Sequence, residues 1–383
     1  MPPLTEISEQ LTPNNIVSKS QTIVVKVGSA LLINPDGSIR TKWLATLVEE
    51  IAALQKEGHK IIMVSSGTIA LGARTLGLPD GGRSNLADAQ AAASVGQIAL
   101  ARLWSEMIAD KDILAAQILV TLGDLEDRRR YLNATATLDR LLSLGVIPVV
   151  NENDSVATYE IRFGDNDRLA ARIGQAAEAD LVILLSDVAG LYDKNPDSHK
   201  DAKLLKNITN IGEDIMQMAD GNSSSGMGSG GMSSKLEAAR IANMAGIPLI
   251  ICSGKDNYPI STFLESEQGT IFEPQTSISA RKGWLGGRLK TAGNVHIDAG
   301  AVTALKGGAS LLPAGVTKID GNFVRGDVID IISPEGGILA RGLAEYDAKD
   351  ADIISGHQTH ELGKLLGYTP RKAMVHRDQL VLL

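Results

Sequence analysis

Thr22-Ile-Val-Val-Lys-Val-Gly28 decides the fold. It is a short β-branched run that ends at a glycine, and it reads as a strand with one lysine, Lys26, near its end. Outward from it the pattern repeats. Leu44, Leu47, Val48, Ile51 and Leu54 recur at helical spacing from about Thr41, and Gly58 stops that helix. Strand Lys60 to Val64 runs into Ser65-Ser-Gly67 and a further helical stretch. Strands Ile113 to Val120, Val146 to Val150, Asp180 to Leu185 and Ile247 to Ile251 continue the series. Leu138, Leu141 and Leu142 face one way on a helix that Gly145 ends. Continuous apolar strands alternating with amphipathic helices predict an α/β fold, a mostly parallel sheet sandwiched by helices.

Ligands of such sheets bind beyond the carboxyl ends of the strands. Lys26-Val-Gly-Ser29, Ser65-Ser-Gly67, Asn151-Glu-Asn-Asp154 and Ser186-Asp187 all fall there. The character changes after about Pro274. The segment to Leu289 reads as a linker, and beyond it lie short apolar pieces broken by glycine: Ala304 to Gly308, Val328 to Ile332, Gly336 to Ala340, Met374-Val375. They suggest a compact β-rich second domain.

The chain has 383 residues, which makes two domains the default expectation. Aromatics are only 3%, so the cores must be built from Ala, Ile, Leu and Val. A formal charge of −8 argues against wholesale nucleic-acid binding, although a local cationic cluster can still hold a small anion. The single cysteine, Cys252, fits a reducing compartment and reads as a buried strand residue. Met1 to Gln21 is polar and shows no signal peptide, so a cytoplasmic location is expected.

Gly226, Gly228 and Gly231 satisfy a G-x-G-x-x-G pattern, but no strand precedes them, so a dinucleotide fingerprint is a weak match. The stretch instead runs into a helix carrying Leu236, Ala239, Ile241 and Ala245, with Ser233 or Ser234 as N-cap. Backbone N–H groups at such a start can hold phosphate oxygens, and Lys235, a cation opposing the helix dipole, points to a bound anion. A flexible linker is the bland alternative. Lys26, on a strand covered on both faces, needs an anion unless it snorkels to the surface. Asn151 to Asp154 and Gly164-Asp-Asn-Asp-Arg168 gather carboxylates and amides; turn and cap chemistry alone would account for either by itself, but not for both at strand ends. The six histidines show no metal-ligand spacing.

Val24 to Gly28, Val64 to Gly67, Val149 to Asp154, Gly164 to Asp167, Ser186-Asp187 and Gly230-Gly-Met-Ser-Ser-Lys235, in this order, resemble the glutamate 5-kinases, of the amino acid kinase fold. Ser310 to Pro313 and Gly321 to Gly326 resemble a PUA domain. The resemblance implies a polar N-terminal extension over 1–19, a kinase domain over 20–275, a linker over 276–287, a small β-rich PUA domain over 288–372 and a tail over 373–383. It implies ATP and Mg2+, with L-glutamate held by Ser66, Asp154 and Asn166. ATP would be held by Lys26, Ser186, Asp187, Ser229, Gly230, Gly231, Met232, Ser233, Ser234 and Lys235. Lys26 and Lys235 would neutralise the transferring phosphoryl group, and Asp165 or Asp167 would orient lysine or metal, the choice being left open. A homo-oligomer (tetramer or dimer) and feedback inhibition by proline are further implications. Ser65 and Ser234 stand where the family often has Thr, and both keep the hydroxyl.

A rival reading is an RNA-binding accessory protein. From Lys290 to Leu383 there are ten Lys plus Arg against eleven Asp plus Glu, which lacks the usual electrostatic footprint. The kinase reading requires that Lys26 and Lys235, from opposite ends of the first domain's sequence, converge.

Overall fold

A computed structural model describes residues 12–34, 38–156, 165–196, 198–220, 231–274, 291–368 and 370–382. Two compact units divide the chain. The first holds residues 1–125 and 134–275, the second residues 126–133 and 276–383.

The first unit carries an eight-stranded sheet of β1 (Thr22–Val27), β2 (Lys60–Ser65), β3 (Ala115–Val120), β4 (Ile147–Glu152), β5 (Leu181–Ser186), β6 (Asn207–Ile208), β7 (Leu249–Ser253) and β8 (Gly269–Phe272). Their order is β3-β4-β2-β1-β5-β7-β8-β6. The five strands from β3 to β5, and β7 beside them, run parallel; β8 pairs antiparallel to β7 and carries β6 parallel to itself. The mostly parallel α/β sheet expected from the sequence is therefore present. β1 lies in the middle, and all six of its residues are buried, as the unbroken apolar run demands. Strands begin and end within two residues of the expected positions.

Apolar stripes on the flanking helices complete the core. In α2 (Thr41–Lys56), Trp43, Leu44, Leu47, Val48 and Ile51 are buried against Ile23, Val25 and Ile61 of the sheet. Ahead of it, α1 (Pro13–Lys19) corrects the expectation of a featureless polar lead-in. Thr12 caps it, and Ile16 and Val17 join the main core. Two apolar residues one apart were too short a signal to read as a helix face.

Glycine sets how α3 (Thr68–Leu76) meets α4 (Leu86–Ala109). Gly67, at φ 115°, turns the chain from β2 into α3, a conformation that a side chain resists. The two helices then pack backbone to backbone: a Cβ on Gly72 would lie 1.7 Å from the Ala92 carbonyl oxygen, and one on Gly96 1.8 Å from that of Thr68. Replacing Gly96 by Ala must separate the helices and should cost about 3 kcal/mol, because overpacking here meets main chain rather than a movable side chain. Thermal denaturation checks this; an unchanged melting temperature would refute the close approach.

The second unit holds a five-stranded sheet, β9 (Gly293–Ile297), β10 (Val316–Gly321), β11 (Val328–Ile332), β12 (Ile338–Leu343) and β13 (Leu380–Leu382), in the order β10-β9-β11-β12-β13. Only β9 and β11 pair in parallel. Its own core gathers Val295, Ile297, Phe323, Ile329, Ile331, Met374 and Val375. One expected β piece is different: Ala304 to Gly308 is the end of a helix, Ala299–Lys306, capped by Asp298, whose carboxylate accepts from the Ala301 N–H at 2.7 Å. Its glycines stop a helix instead of breaking a strand. Among the described residues no helix is long and apolar enough to cross a membrane.

Candidate active site

The site is built on the first turn of α5 (Asn166–Ala176), where it faces the carboxyl ends of β1, β2 and β4. Asp165 is the N-cap of α5, accepting from the Arg168 N–H, so the bland cap reading holds for that residue in part. The next two side chains reach into different subsites. Asp167 turns to the lysines and Asn166 to the polar strand ends.

Lys26 Nζ lies 2.6 Å from Asp167 Oδ1 and Lys235 Nζ lies 3.0 Å from Asp167 Oδ2. The two ammonium groups thus converge, as the sequence reading required. All three residues are buried, with side chains 9%, 7% and 1% exposed for Lys26, Lys235 and Asp167. Burial alone would raise the Asp167 carboxyl, but the charges of Lys26 and then Lys235 prevail and hold it at about 2. Burial also pulls Lys26 below the ordinary lysine value, against the attraction of Asp167. Of the two carboxylates left open by the sequence, Asp167 is therefore the one that organises the lysines. The anion that Lys26 demanded is an internal one.

Lys235 enters from α6 (Met232–Met244). Here the sequence expectation is corrected: the N-cap is Gly231, not Ser233 or Ser234. Ser234 sits one turn position deeper and donates its hydroxyl to Asp165 Oδ1. A glycine at the cap needs no side-chain bond, which frees the serine for a tertiary partner. Burial raises the Asp165 carboxyl, the Ser234 hydrogen bond opposing it. Arg168 Nη1 stands 3.6 Å from Asp165 Oδ2. Three cations (Lys26, Lys235, Arg168) thus surround two carboxylates, an excess of positive charge. Ser229 and Gly230 of the expected phosphate clamp lie outside the described residues. Ser186, at the end of β5, is buried and donates to Asp187 Oδ1 at 3.1 Å.

The second subsite is amide-rich. Asn166 Nδ2 donates to Ser66 Oγ at 2.8 Å and to Asn151 Oδ1 at 3.1 Å. Thr68 Oγ1 donates to Asp154 Oδ2 at 3.0 Å. Asp154 Oδ1 and Asn166 Oδ1 are buried with no hydrogen-bond partner among the described residues. Two orphan acceptors among these strand-end residues call for a ligand that donates. Burial pushes the Asp154 carboxyl up to about 6, with the Thr68 hydroxyl and then the Arg83 charge pulling the other way. Below Ser66, Trp104 Nε1 donates to Ser65 Oγ at 2.8 Å and ties the strand end to α4.

The structure thus brings Lys26, Lys235, Asp165 and Asp167 into one cluster, and Ser66, Asp154 and Asn166 into its neighbour. Thr68, Gln97 and Arg83 were missed. Thr68 follows Gly67 directly and was legible as a strand-end hydroxyl; Gln97 is one amide within a long helix and carried no signal. Cys252 is the buried strand residue expected, its thiol pushed up to about 12 by burial. Among the described residues no group of three or more His, Cys, Asp or Glu could hold a metal ion.

The family model "Amino acid kinase family" matches residues 21–253, and that of the PUA domain matches residues 293–366. A protein named glutamate 5-kinase from Novosphingobium aromaticivorans is 56% identical over 374 residues, 98% of this chain and 99% of the relative. One of the same name from Zymomonas mobilis is 53% identical, covering 99% of this chain and 98% of its own length. A third, from Agrobacterium fabrum, is 52% identical over 94% of this chain and 92% of its own.

Proposed function

Because the chain belongs to the amino acid kinase family and to its glutamate 5-kinase branch, we infer that the lysine cluster takes the phosphates of ATP and the amide-rich subsite takes L-glutamate. The enzyme transfers the γ-phosphoryl group of ATP to the side-chain carboxylate of L-glutamate, giving γ-glutamyl 5-phosphate, the first step of proline biosynthesis. The observation that carries the site assignment is the convergence of Lys26 and Lys235 on Asp167.

Glutamate's γ-carboxylate, with an ordinary pKa of about 4.3, is ionised at neutral pH and needs no general base. The obstacle is repulsion between this anion and the triphosphate, so the work is positioning and charge neutralisation. Lys26 and Lys235 meet the charge on the transferring phosphoryl group, held in register by Asp167. Ser186 and Asp187, at the next strand end, contact the nucleotide, as do the residues from Gly231 to Ser234. At the other end, Asp154 Oδ1 and Asn166 Oδ1 accept from the substrate's α-ammonium, and Ser66 lies beside them.

Mg2+ fits this site as a partner of the phosphates, because such ions take one or two carboxylates and leave most of their shell to phosphate and water. Asp165, whose oxygens are not claimed by either lysine, is the carboxylate that would hold it. Bound there, the ion would offset phosphate charge. Hydroxylamine trapping tests the whole reading, since an acyl phosphate yields a hydroxamate. Glutamate-dependent hydroxamate is expected; formation only with aspartate or N-acetylglutamate would redirect the assignment within the fold.

Exposed apolar Ile98 and Leu114, 76% and 72% accessible, support assembly into a homo-oligomer, which a monomer in sedimentation would reject. Feedback by proline would act at the glutamate subsite, and an unaltered rate at millimolar proline would rule it out. The PUA domain's near-neutral charge gives RNA binding little support; a salt-sensitive gel shift with tRNA would restore it.

A further inference from the structure

We propose that Gln97 is a positioning residue that fixes which way the Asn166 amide faces, and so makes the subsite an acceptor for an ammonium group. The proposal rests on the reading of Asp154 and Asn166 given above. Asn151 Nδ2 donates to Gln97 Oε1 at 2.8 Å, Asn151 Oδ1 accepts from Asn166 Nδ2 at 3.1 Å, and the same Nδ2 donates to Ser66 Oγ at 2.8 Å. The chain runs Gln97, Asn151, Asn166, Ser66. Asn151 and Asn166 are 1% and 2% exposed, so neither can turn to water for a substitute partner.

A primary amide is almost symmetric in shape but opposite in polarity at its two ends. Turning Asn166 over would fit the same space, yet it would aim N–H groups at the substrate in place of Oδ1. Ser66 cannot prevent this, because a hydroxyl both donates and accepts. Asn151 is buried and can turn only together with Asn166, so the row needs an acceptor at its outer end. Gln97 Oε1 is that acceptor: it receives Asn151 Nδ2, which leaves Asn151 Oδ1 for Asn166 Nδ2 and Asn166 Oδ1 for the cavity. Gln97 also lines, with Asn153 and Asp154, an open cavity of about 330 Å³, which places it beside the other orphan acceptor. It reaches this position because Gly96, its neighbour, allows α4 to touch α3.

The experiment compares three variants in the full chain. Gln97→Met keeps the volume and loses the acceptor; Gln97→Glu is an acceptor only; Gln97→Lys is a donor only. Glutarate, which is glutamate without the ammonium, serves as a competitive inhibitor. Gln97→Met should raise the glutamate KM about 10-fold, the effect of one buried hydrogen bond, with the ATP KM and the glutarate Ki unchanged. Gln97→Glu should stay within about 3-fold of the parent, and Gln97→Lys should raise the glutamate KM about 100-fold, two such bonds being reversed. A glutarate Ki that rises in step with the glutamate KM, or Gln97→Glu and Gln97→Lys behaving alike, would overturn the proposal. The second comparison stands even if Gln97→Met fails to fold. Failure of the parent reading looks different: Asp154→Asn would then leave the glutamate KM untouched.

Discussion

Replacing Lys235 by Met should lower kcat about 10³-fold while leaving the melting temperature unchanged or higher. The loss follows from the role of Lys235: a preorganised cation aimed at developing phosphoryl charge contributes roughly 10²–10³-fold or more in a water-poor site. The unchanged stability follows from the triad's arithmetic. Lys26 and Lys235 are two buried positive charges on one carboxylate, Asp167. Taking away one lysine leaves a matched pair, whereas taking away the carboxylate leaves two like charges facing each other. Asp167→Asn should therefore cost stability, about 3–5 kcal/mol, as breaking a buried ion pair does, and it should also abolish turnover. The Asp167 carboxyl is held at about 2, well below its unfolded value, so its contribution is present above about pH 4 and is lost as pH falls toward 2. Single-turnover kinetics and calorimetry on both variants check the contrast. If Lys235→Met destabilises as much as Asp167→Asn, or turns over near the parent rate, the triad is not the phosphoryl-binding device.

Asp154→Asn should raise the glutamate KM about 10²-fold, leave the ATP KM unchanged, and stabilise the unliganded protein at pH 8. Removing one partner of a buried charge pair with the substrate ammonium typically costs 2–5 kcal/mol, which is about 30-fold or more in affinity. The opposite sign for stability comes from burial, which raises this carboxyl to about 6 in the fold from about 3.8 in the unfolded chain. A raised pKa stabilises fully below the unfolded value, and that stabilisation is lost as pH rises through 6. At pH 8 the empty site therefore carries an unfavourable buried charge, about 3 kcal/mol, which Asn lacks. At pH 4 the two proteins should melt together. In the parent, kcat/KM for glutamate should fall about tenfold per unit below pH 6, as the free enzyme's essential carboxylate becomes protonated. A flat profile down to pH 5 would remove Asp154 from the substrate.

Much of this was legible because it depends on local pattern. β1 had to be buried on both faces, since nothing in Ile23 to Val27 but Lys26 can face water at low cost. That one exception marked the site before any geometry was available. The cap of α6 was misread because Ser233 and Ser234 are good caps in isolation, while the glycine at 231 leaves them to other partners. The choice between Asp165 and Asp167 was equally out of reach: two acids two apart differ only in which way the first turn of a helix points them.

The layered α/β architecture, the strand ends where the chemistry gathers and the demand of Lys26 for an anion are all written in the order of residues along the chain. All of these arise from hydrophobic periodicity and from the cost of burying charge, which act within short stretches of chain. It took the folded chain to show that the anion is Asp167, that Lys235 shares it from 209 positions further along the chain (235 minus 26), and that a mid-helix glutamine ends the row of amides beside Ser66. Hydrogen bonds and ion pairs between distant segments depend on direction and distance of a fraction of an ångström, and no periodicity along the chain encodes those.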